Sequence, residues 1–384
     1  MDAAALDEIL STVRSFVRDR VVPLEAQIDR DDEIPAAVQE AAKAMGLFGF
    51  AIPAAYGGLG LSMEEECRLV FELGYTTPSF RSLFGTNNGI GGHVLLEGAT
   101  EEQRRHWLPR IAAGDLVASF ALTEPEAGSD PSDLTTTARR DAEGWVLEGT
   151  KRYITNAPVA DVFMVFARTG TAEQRASGIS VFMVPAGTTG ITVGPRDRKM
   201  GQAGAWTADV HLDGVRVGAD ALVGGEVGEG AGWSTAMRCL AHGRLHIAAL
   251  CVGMAARLVD ETVAFARARH QSRRPIAAFQ LVQGLVADSV TDLEAGRALV
   301  LSAARAYDER RDRRVLPSVA KYFSSEMVGR VADRAVQVHG GAGYMRGVAV
   351  ERFYRDARVF RIYEGTSQIQ QVVIARGVLG DAAR

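Results

Sequence analysis

The sequence predicts an α+β protein with an N-terminal helical domain, a central antiparallel β domain and a C-terminal four-helix bundle. The chain has 384 residues, of which 47% are hydrophobic, and this length suits two to three domains. The pattern of residue types changes from helical to strand-like near residue 118 and back to helical near residue 226. Strand-like runs follow one another without helices between them, which favours an antiparallel sheet. We therefore expect domains at 1–118, 119–226 and 227–384.

The first domain is expected to be helical. Residues 36–45 are strong helix formers throughout. A second helix is predicted from Ser62 to about Leu73, because Ser62 is a suitable N-cap and Glu65 follows three residues later. That spacing is typical of a capping box.

The middle and last domains have distinct patterns. Short runs rich in branched and aromatic residues predict strands at 145–148, 162–166, 179–184 and 208–212. After a glycine-rich stretch, helical patterns cover about 233–270, 279–310, 317–338 and 367–379. Four helices of these lengths with short connections are typical of a bundle.

Composition excludes several classes of protein. The net charge is −4 and the isoelectric point about 6.0, so no electrostatic footprint for nucleic acid is present. Three scattered cysteines are too few for a disulfide framework. No apolar run approaches the ~20 residues of a membrane-spanning helix. The acidic start of the chain lacks the pattern of a secretory signal, and a cytoplasmic location is the expectation.

Two motifs suggest sites that the surrounding sequence does not support. The glycines of 228–233 end in tryptophan and follow no βαβ pattern, so an inter-domain turn is expected there rather than a dinucleotide site. His242 and His246 share one helix face, as metal ligands do. Two ligands alone make a poor site, and no metal is expected.

Four segments place small, polar or glycine residues where a plain core would have bulk. Taken singly, each also has an ordinary reading as a proline turn, a hairpin, a helix C-cap or a helix N-cap. The segments are 120–130 (FALTEPEAGSD), 149–157 (GTKRYITNA), 337–344 (QVHGGAGY) and 361–370 (RIYEGTSQIQ).

Together and in this order, the four segments resemble the acyl-CoA dehydrogenase family of flavoproteins over nearly the whole chain. The stretches 198–201 and 350–357 extend the resemblance. It implies an FAD-dependent enzyme of fatty acid metabolism that forms a trans double bond between Cα and Cβ of an acyl-CoA thioester. In such an enzyme hydride passes from Cβ to flavin N5. The resemblance also implies electron-transfer flavoprotein as acceptor and a homotetramer built as a dimer of dimers.

The resemblance assigns the catalytic base to Glu364. Some relatives instead carry this glutamate on an earlier helix, immediately before an arginine that matches Arg244, and here that position is Gly243. A free carboxyl group is too weak a base for an α-proton, so burial is expected to raise the pKa of Glu364. Gly365 is expected to leave room for the thioester.

Cofactor contacts are carried over by position. Arg269, Gln337 and Gly341 match residues that reach the adenosine end of FAD in a neighbouring subunit, and Gln280 is a further expected contact. Tyr153 stands where relatives have tryptophan, and Arg269–Pro275 lacks the usual Phe-Gly, which is expected to weaken FAD binding. The residues expected to hold FAD within the subunit are Phe120, Leu122, Thr123, Ser129, Tyr153, Thr155, Thr366 and Gln368.

The acyl group is left open by the sequence. Arg81 aligns with an arginine that pairs with the distal carboxylate in the glutaryl-CoA branch, and Asn87 and Asn88 are polar for the wall of a fatty-acyl tunnel. A dicarboxylic acyl-CoA is therefore one hypothesis; a surface arginine far from the pocket is the alternative. Expected substrate contacts are Ser129, Arg244, Gly365, Arg376 and Arg81.

Three functional alternatives follow from the resemblance. The first is a dehydrogenase that passes electrons to an electron-transfer flavoprotein. The second is an acyl-CoA oxidase or another flavin-linked elimination on the same scaffold. The third is a non-catalytic relative, which is disfavoured because Glu364, Thr123 and Thr155 are all present.

Overall fold

A computed structural model describes residues 1–380 of the chain. The N-terminal part is helical, and two short π-helical stretches, Val17–Val21 and Thr86–Ile90, follow α1 and α5. The predicted capping box is confirmed: Ser62 Oγ accepts from the Glu65 backbone N–H and Glu65 Oε2 accepts from that of Ser62. The helices are α1 (Ala3–Phe16), α2 (Glu25–Asp31), α3 (Ala36–Ala44), α4 (Met63–Leu73), α5 (Pro78–Gly85), α6 (Gly91–Gly98) and α7 (Glu101–Ala113).

A seven-stranded sheet forms the central part. Its strands are β1 (Ala118–Ala121), β2 (Thr137–Arg140), β3 (Gly144–Thr155), β4 (Val162–Arg168), β5 (Ile179–Pro185), β6 (Ile191–Val193) and β7 (Thr207–Gly218). The sheet is mixed rather than wholly antiparallel, because β4 runs parallel to β1 and to the start of β2. The β2–β3 hairpin supplies the crossover between β1 and β4 that a helix supplies in most parallel pairs.

The C-terminal part consists of long helices and a small hairpin. The four predicted helices correspond to α8, α9, α10 and α12, while the short α11 was not anticipated. The elements are α8 (Gly232–Ala268), β8 (His270–Gln271), β9 (Arg274–Pro275), α9 (Gln280–Asp308), α10 (Val315–His339), α11 (Ala349–Ala357) and α12 (Ser367–Leu379). Within residues 1–380 no helix has the length and apolarity needed to cross a membrane.

The N-terminal and C-terminal helices share one hydrophobic core. α8 packs against α4, α9 and α10, and its buried face includes Leu245 and Leu250. A second core joins α6, α7 and the start of α8 to one face of the sheet, where Met164 and Phe166 are fully buried. This packing brings α5, α8, α12 and the C-terminal ends of β1 and β3 around one central cavity.

Candidate active site

A cavity of about 770 Å³ lies where the three parts of the chain meet. Residues from α5, β1, β3, α8, α12 and the loop before α12 line it. The predicted site residues that it brings together are Arg81, Phe120, Leu122, Thr123, Ser129, Tyr153, Thr155, Arg244, Glu364, Gly365 and Arg376.

Six predicted residues lie outside the cavity wall. Thr366 is the N-cap of α12, and its Oγ1 accepts from the Ile369 backbone N–H at 3.2 Å. Gln368 is exposed in the first turn of that helix. The residues expected to reach a neighbouring subunit are all exposed on the single chain, and their contacts with FAD stay predictions: Arg269, Gln280, Gln337 and Gly341.

The turn that carries Glu364 has an uncommon backbone conformation. Glu364 has φ +52° and Gly365 has φ +89°. The left-handed region is unfavourable for a glutamate, by about 1–2 kcal/mol. Three side chains hold the turn: Lys321 Nζ donates to the Gly365 carbonyl at 2.7 Å, Gln370 Nε2 to both carbonyls at 3.0–3.1 Å, and Arg244 Nε to the Glu364 carbonyl at 3.5 Å. Lys321 and Gln370 are not predictable from the sequence as site residues, because contacts with backbone carbonyls leave no motif.

The Glu364 carboxylate is enclosed beside Gly243. A Cβ at position 243 would lie 2.4 Å from Glu364 Oε2, so glycine provides the space that the carboxylate fills. Oε2 is buried and has no hydrogen-bond partner within residues 1–380. Burial raises the pKa of Glu364 above its usual value, although the positive charges of Arg81, Lys321 and Arg244 oppose that rise. A carboxylate so placed is a candidate proton acceptor for a ligand in the cavity.

Arg81 is buried at the cavity rather than exposed on a helix surface. Only 7% of Arg81 is exposed, so the surface alternative is wrong. Its Nη2 lies 3.0 Å from His246 Nδ1, and its Nε is buried without a partner in the described part of the chain. A Cβ on Gly85 would lie 2.6 Å from Arg81 Nη1, so this glycine makes room for the guanidinium.

Asn87 and Asn88 do not form a polar tunnel wall, so that expectation is wrong. Both are buried away from the cavity. Asn87 Nδ2 donates to the carbonyls of Ile111 and Leu116 at 3.0 and 2.9 Å. Asn88 Nδ2 donates to those of Leu47 and Phe84 at 2.8 and 3.0 Å. Since buried backbone carbonyls require donors, both amides are structural.

The sheet side of the cavity offers a surface for a flat ring. Phe120 packs on Phe166 with ring centroids 4.7 Å apart. Tyr153 is 64% exposed with φ +58°, an unusual state for a large aromatic residue in a folded domain. At Gly128, in the loop after β1, a Cβ would meet no atom of residues 1–380 within 4 Å. Open aromatic faces beside an uncrowded loop fit a large planar cofactor.

A buried ion pair fixes the loop after β1. Lys151 Nζ lies 2.7 Å from Glu124 Oε1 and also donates to the Leu122 carbonyl at 3.3 Å. Burial alone would raise the pKa of Glu124, but Lys151 and hydrogen bonds from Thr135 and Thr136 outweigh it and lower the pKa to about 2. Burial lowers the pKa of Lys151 to about 8, because the charge and hydrogen bond of Glu124 offset the loss of hydration only in part.

A second buried polar cluster lies behind Arg81. His242 and His246 are joined by Glu66 of α4, with Glu66 Oε2 2.5 Å from His246 Nε2 and 3.1 Å from His242 Nε2. All three residues are less than 5% exposed. The spacing of the two histidines is visible in the sequence, whereas Glu66 lies in a different part of the chain and carries no signal that links it to them.

Sequence models of the acyl-CoA dehydrogenase N-terminal, middle and C-terminal domains match residues 4–115, 119–215 and 230–379. The chain belongs to the acyl-CoA dehydrogenase family. It is 36% identical to an acyl-CoA dehydrogenase of Bacillus subtilis over 368 residues, 96% of each protein. It is 37% identical, over 91% of each chain, to the CarC subunit of the caffeyl-CoA reductase-Etf complex of Acetobacterium woodii.

Solved structures agree with this assignment. Butyryl-CoA dehydrogenase from Megasphaera elsdenii superposes with a TM-score of 0.94 at 30% identity, covering 99% of this chain and all of that one. A glutaryl-CoA dehydrogenase in complex with glutaryl-CoA gives 0.91 at 30%, covering 99% and 97%. An acyl-CoA dehydrogenase complexed with FAD from Bacillus anthracis gives 0.91 at 30%, covering 99% and 68%. The predicted family, fold, oxidoreductase class and FAD cofactor are thereby confirmed.

Proposed function

We propose that this acyl-CoA dehydrogenase converts an acyl-CoA thioester to the trans-2-enoyl-CoA, with Glu364 as the base that removes the α-proton. The observation that carries the proposal is the enclosed, unpartnered Oε2 of Glu364 at the cavity wall. Because this oxygen has no donor in the described part of the chain, its lone pairs are available to a substrate proton. Burial and the raised pKa of Glu364 strengthen it as a base.

The rigidity of the turn supports the same role. The carbonyl contacts from Arg244, Gln370 and Lys321 fix the Glu364–Gly365 backbone, so the carboxylate is positioned before substrate arrives. Arg244 Nη1 also donates to Ser318 Oγ at 3.2 Å. We therefore assign Arg244 to support of the base, while Ser129 and Arg376 stay proposed contacts for the CoA portion.

The sheet side of the cavity is the proposed FAD site. Phe120, Leu122 and Tyr153 would supply apolar contact to the ring, and the hydroxyls of Thr123 and Thr155 would supply hydrogen bonds. FAD, when bound, provides the acceptor for the hydride that leaves Cβ. The protein's own part is to exclude water, align Cα with Glu364 and hold the proton that it takes.

Electron-transfer flavoprotein is the proposed acceptor of the electrons, because CarC belongs to a complex with such a flavoprotein. CarC also belongs to a reductase. The residues proposed to bind FAD and to move the α-proton are therefore also compatible with the reverse reaction, reduction of an enoyl-CoA. An oxidase is the competing class: there the reduced enzyme would react rapidly with oxygen. Aerobic and anaerobic reoxidation rates, with and without electron-transfer flavoprotein, separate the two.

A carboxylated acyl group is a second candidate substrate, favoured by one observation. Arg81 is buried at the cavity with its Nε unpartnered within residues 1–380, and a carboxylate would complete its hydrogen bonds. The similar glutaryl-CoA dehydrogenase binds glutaryl-CoA. Arg81 is therefore the proposed contact for a distal carboxylate.

Anaerobic titration with a panel of acyl-CoAs tests the proposal. Purified protein is mixed with straight-chain and dicarboxylic thioesters while the oxidised flavin absorbance is followed. Bleaching by at least one thioester, with formation of its enoyl product, is expected. The proposal would be contradicted if the oxidised enzyme kept its spectrum with every thioester and the reduced enzyme kept its spectrum with every enoyl-CoA.

A further inference from the structure

The acyl side of the cavity is the part of its wall, formed by Arg81 and Glu364, where the acyl group is proposed to bind. Behind it, three buried side chains form a continuous line: Glu66 of α4, His246 of α8 and Arg81 of α5. Glu66 Oε2 lies 2.5 Å from His246 Nε2, and His246 Nδ1 lies 3.0 Å from Arg81 Nη2. Their exposed fractions are 4%, 0% and 7%. Each of the three groups is polar, and each comes from a different helix. Burying polar groups is unfavourable unless they are fully paired. We therefore expect this line of side chains to have a structural or functional role.

The chemistry of the donors fixes the tautomer of His246. A guanidinium has only donors, so His246 Nδ1 must accept from Arg81. A neutral imidazole that accepts at Nδ1 carries its proton on Nε2 and donates it to Glu66 Oε2. Burial lowers the pKa of His246 to about 3, which keeps the ring neutral near pH 7.

A hydrogen-bonded line explains this cluster better than a metal site does. Ligand atoms on a tetrahedral zinc, each ~2.0–2.1 Å from the metal, lie about 3.3 Å apart. Glu66 Oε2 and His246 Nε2 are 2.5 Å apart, which is closer than two ligand atoms of one zinc ion and fits a direct hydrogen bond. His242 reaches the same carboxylate oxygen at 3.1 Å but makes no hydrogen bond to Arg81.

We propose that Glu66 and His246 are positioning residues that hold the Arg81 guanidinium at the acyl side of the cavity, beside Glu364. The proposal rests on the proposed function of the site. A carboxylate in direct contact with Arg81 would occupy the donors that a ligand needs. The neutral ring of His246 instead orients Arg81 through one nitrogen, and the positive charge stays directed at the cavity.

The consequence is measurable at Glu364. Three positive charges face its carboxylate, from three helices: Arg81 on α5, Arg244 on α8 and Lys321 on α10. Arg81 favours the ionised form, so its removal raises the pKa of Glu364. The acidic limb of kcat/KM against pH then moves to higher pH. If His246 positions Arg81, loss of His246 moves the limb in the same direction.

The experiment compares His246→Phe, His246→Gln and Arg81→Ala with His242→Phe as matched control. His242 is on the same helix one turn earlier, is equally buried and touches the same carboxylate. The pH dependence of kcat/KM is measured with hexanoyl-CoA, a substrate without a distal carboxylate. Circular dichroism and flavin content check folding of each variant.

We expect Arg81→Ala to move the limb upward by about one pH unit and His246→Phe to move it in the same direction. His246→Gln retains an acceptor and a donor, and should lie near wild type, as should His242→Phe. A His246→Phe profile identical to wild type, or equal shifts in both histidine variants, would overturn the proposal. So would no shift in Arg81→Ala, or stoichiometric metal in the purified wild type.

The positioning line can also be measured without turnover, which separates its failure from that of the proposed function. Solid-state NMR of protein with ¹⁵N-labelled histidine reports the tautomer of each ring. The signal of His246 is identified as the one that is absent from the spectrum of His246→Gln. We expect its chemical shifts to be typical of an Nε2-protonated ring. An Nδ1-protonated ring would overturn the proposal even if acyl-CoA oxidation proceeds as proposed.

Discussion

Glu364 Oε2 occupies the space that a side chain at position 243 would need, because a Cβ on Gly243 would lie 2.4 Å from it. Ile90 also borders this space, with its Cγ2 3.0 Å from that Cβ. Gly243 and Glu364 are far apart in sequence and lie on different elements, α8 and the loop before α12. The glycine on α8 is therefore part of the geometry of the proposed base.

Gly243→Ala is expected to displace the Glu364 carboxylate and lower kcat/KM about 100-fold, since a shift of about 1 Å in a reacting group can have that effect. Steady-state kinetics with the best acyl-CoA measures it, and flavin content is expected to stay at the wild-type level. Gly187→Ala is the control, because a Cβ there meets nothing within 4 Å in the described part of the chain. Equal kcat/KM in both variants would exclude steric coupling between positions 243 and 364.

Arg81→Ala tests the carboxylated-substrate candidate. The ratio of kcat/KM for glutaryl-CoA to that for hexanoyl-CoA is expected to fall at least about tenfold, the effect of losing a charge-assisted hydrogen bond. Arg14→Ala, which removes a surface pair with Glu72, is the control and should leave the ratio unchanged. A wild type that does not favour glutaryl-CoA, or a ratio insensitive to Arg81, would contradict this candidate.

The Glu124–Lys151 pair is predicted to be a strong determinant of stability. Lys151→Met leaves a buried carboxylate unpaired and should lower the free energy of unfolding by about 3–5 kcal/mol. The double variant Glu124→Leu/Lys151→Met should lose less, because no buried charge stays unpaired. Denaturant unfolding of the single and double variants measures both. Additive losses would show that the two side chains are not coupled.

The same pair gives a pH dependence with a defined sign. The pKa of Glu124 is lowered to about 2 from 4.5. Its ionised form therefore contributes stability that is fully present above about pH 4.5 and is lost as pH falls toward 2. The difference in unfolding free energy between wild type and Glu124→Gln should shrink over that interval. A difference independent of pH from 6 to 2 would contradict the lowered pKa.

Some features could be predicted from sequence because local chemistry determines them. Ser62 and Glu65 form a capping box through bonds within one turn, and the long helices α8, α9 and α10 have continuous helix-forming patterns. The resemblance located Glu364 by its neighbours in sequence. Those features depend on residues that are close along the chain.

Other features depend on contacts between distant segments. Asn87 and Asn88 were interpreted as pocket residues because a polar pair on a helix carries no sign of the carbonyls it will satisfy. Glu66 and Lys321 were missed because their partners lie on other helices. The parallel pairing of β1 with β4 was missed because a hairpin, not a helix, makes the crossover.

The hairpin after α8 contains one departure from the family pattern. Ser272 and Arg273 form its turn with φ +50° and +64°, a conformation that favours glycine at the second position. Arg273→Gly is expected to stabilise the protein by about 0.5–1 kcal/mol, seen as a higher Tm. Arg274→Gly is the control and should not stabilise, because Arg274 has no positive φ. A lower Tm for Arg273→Gly would contradict the strain.

The identity of Glu364 as the base is tested most directly by anaerobic titration of Glu364→Gln with an acyl-CoA that bleaches the wild-type flavin. Glutamine keeps the size of the side chain and removes its ability to accept the α-proton as a base. If Glu364 is the base, the variant retains FAD and binds the thioester while its flavin absorbance stays oxidised. Bleaching of Glu364→Gln at a rate near that of wild type would show that another group removes the α-proton.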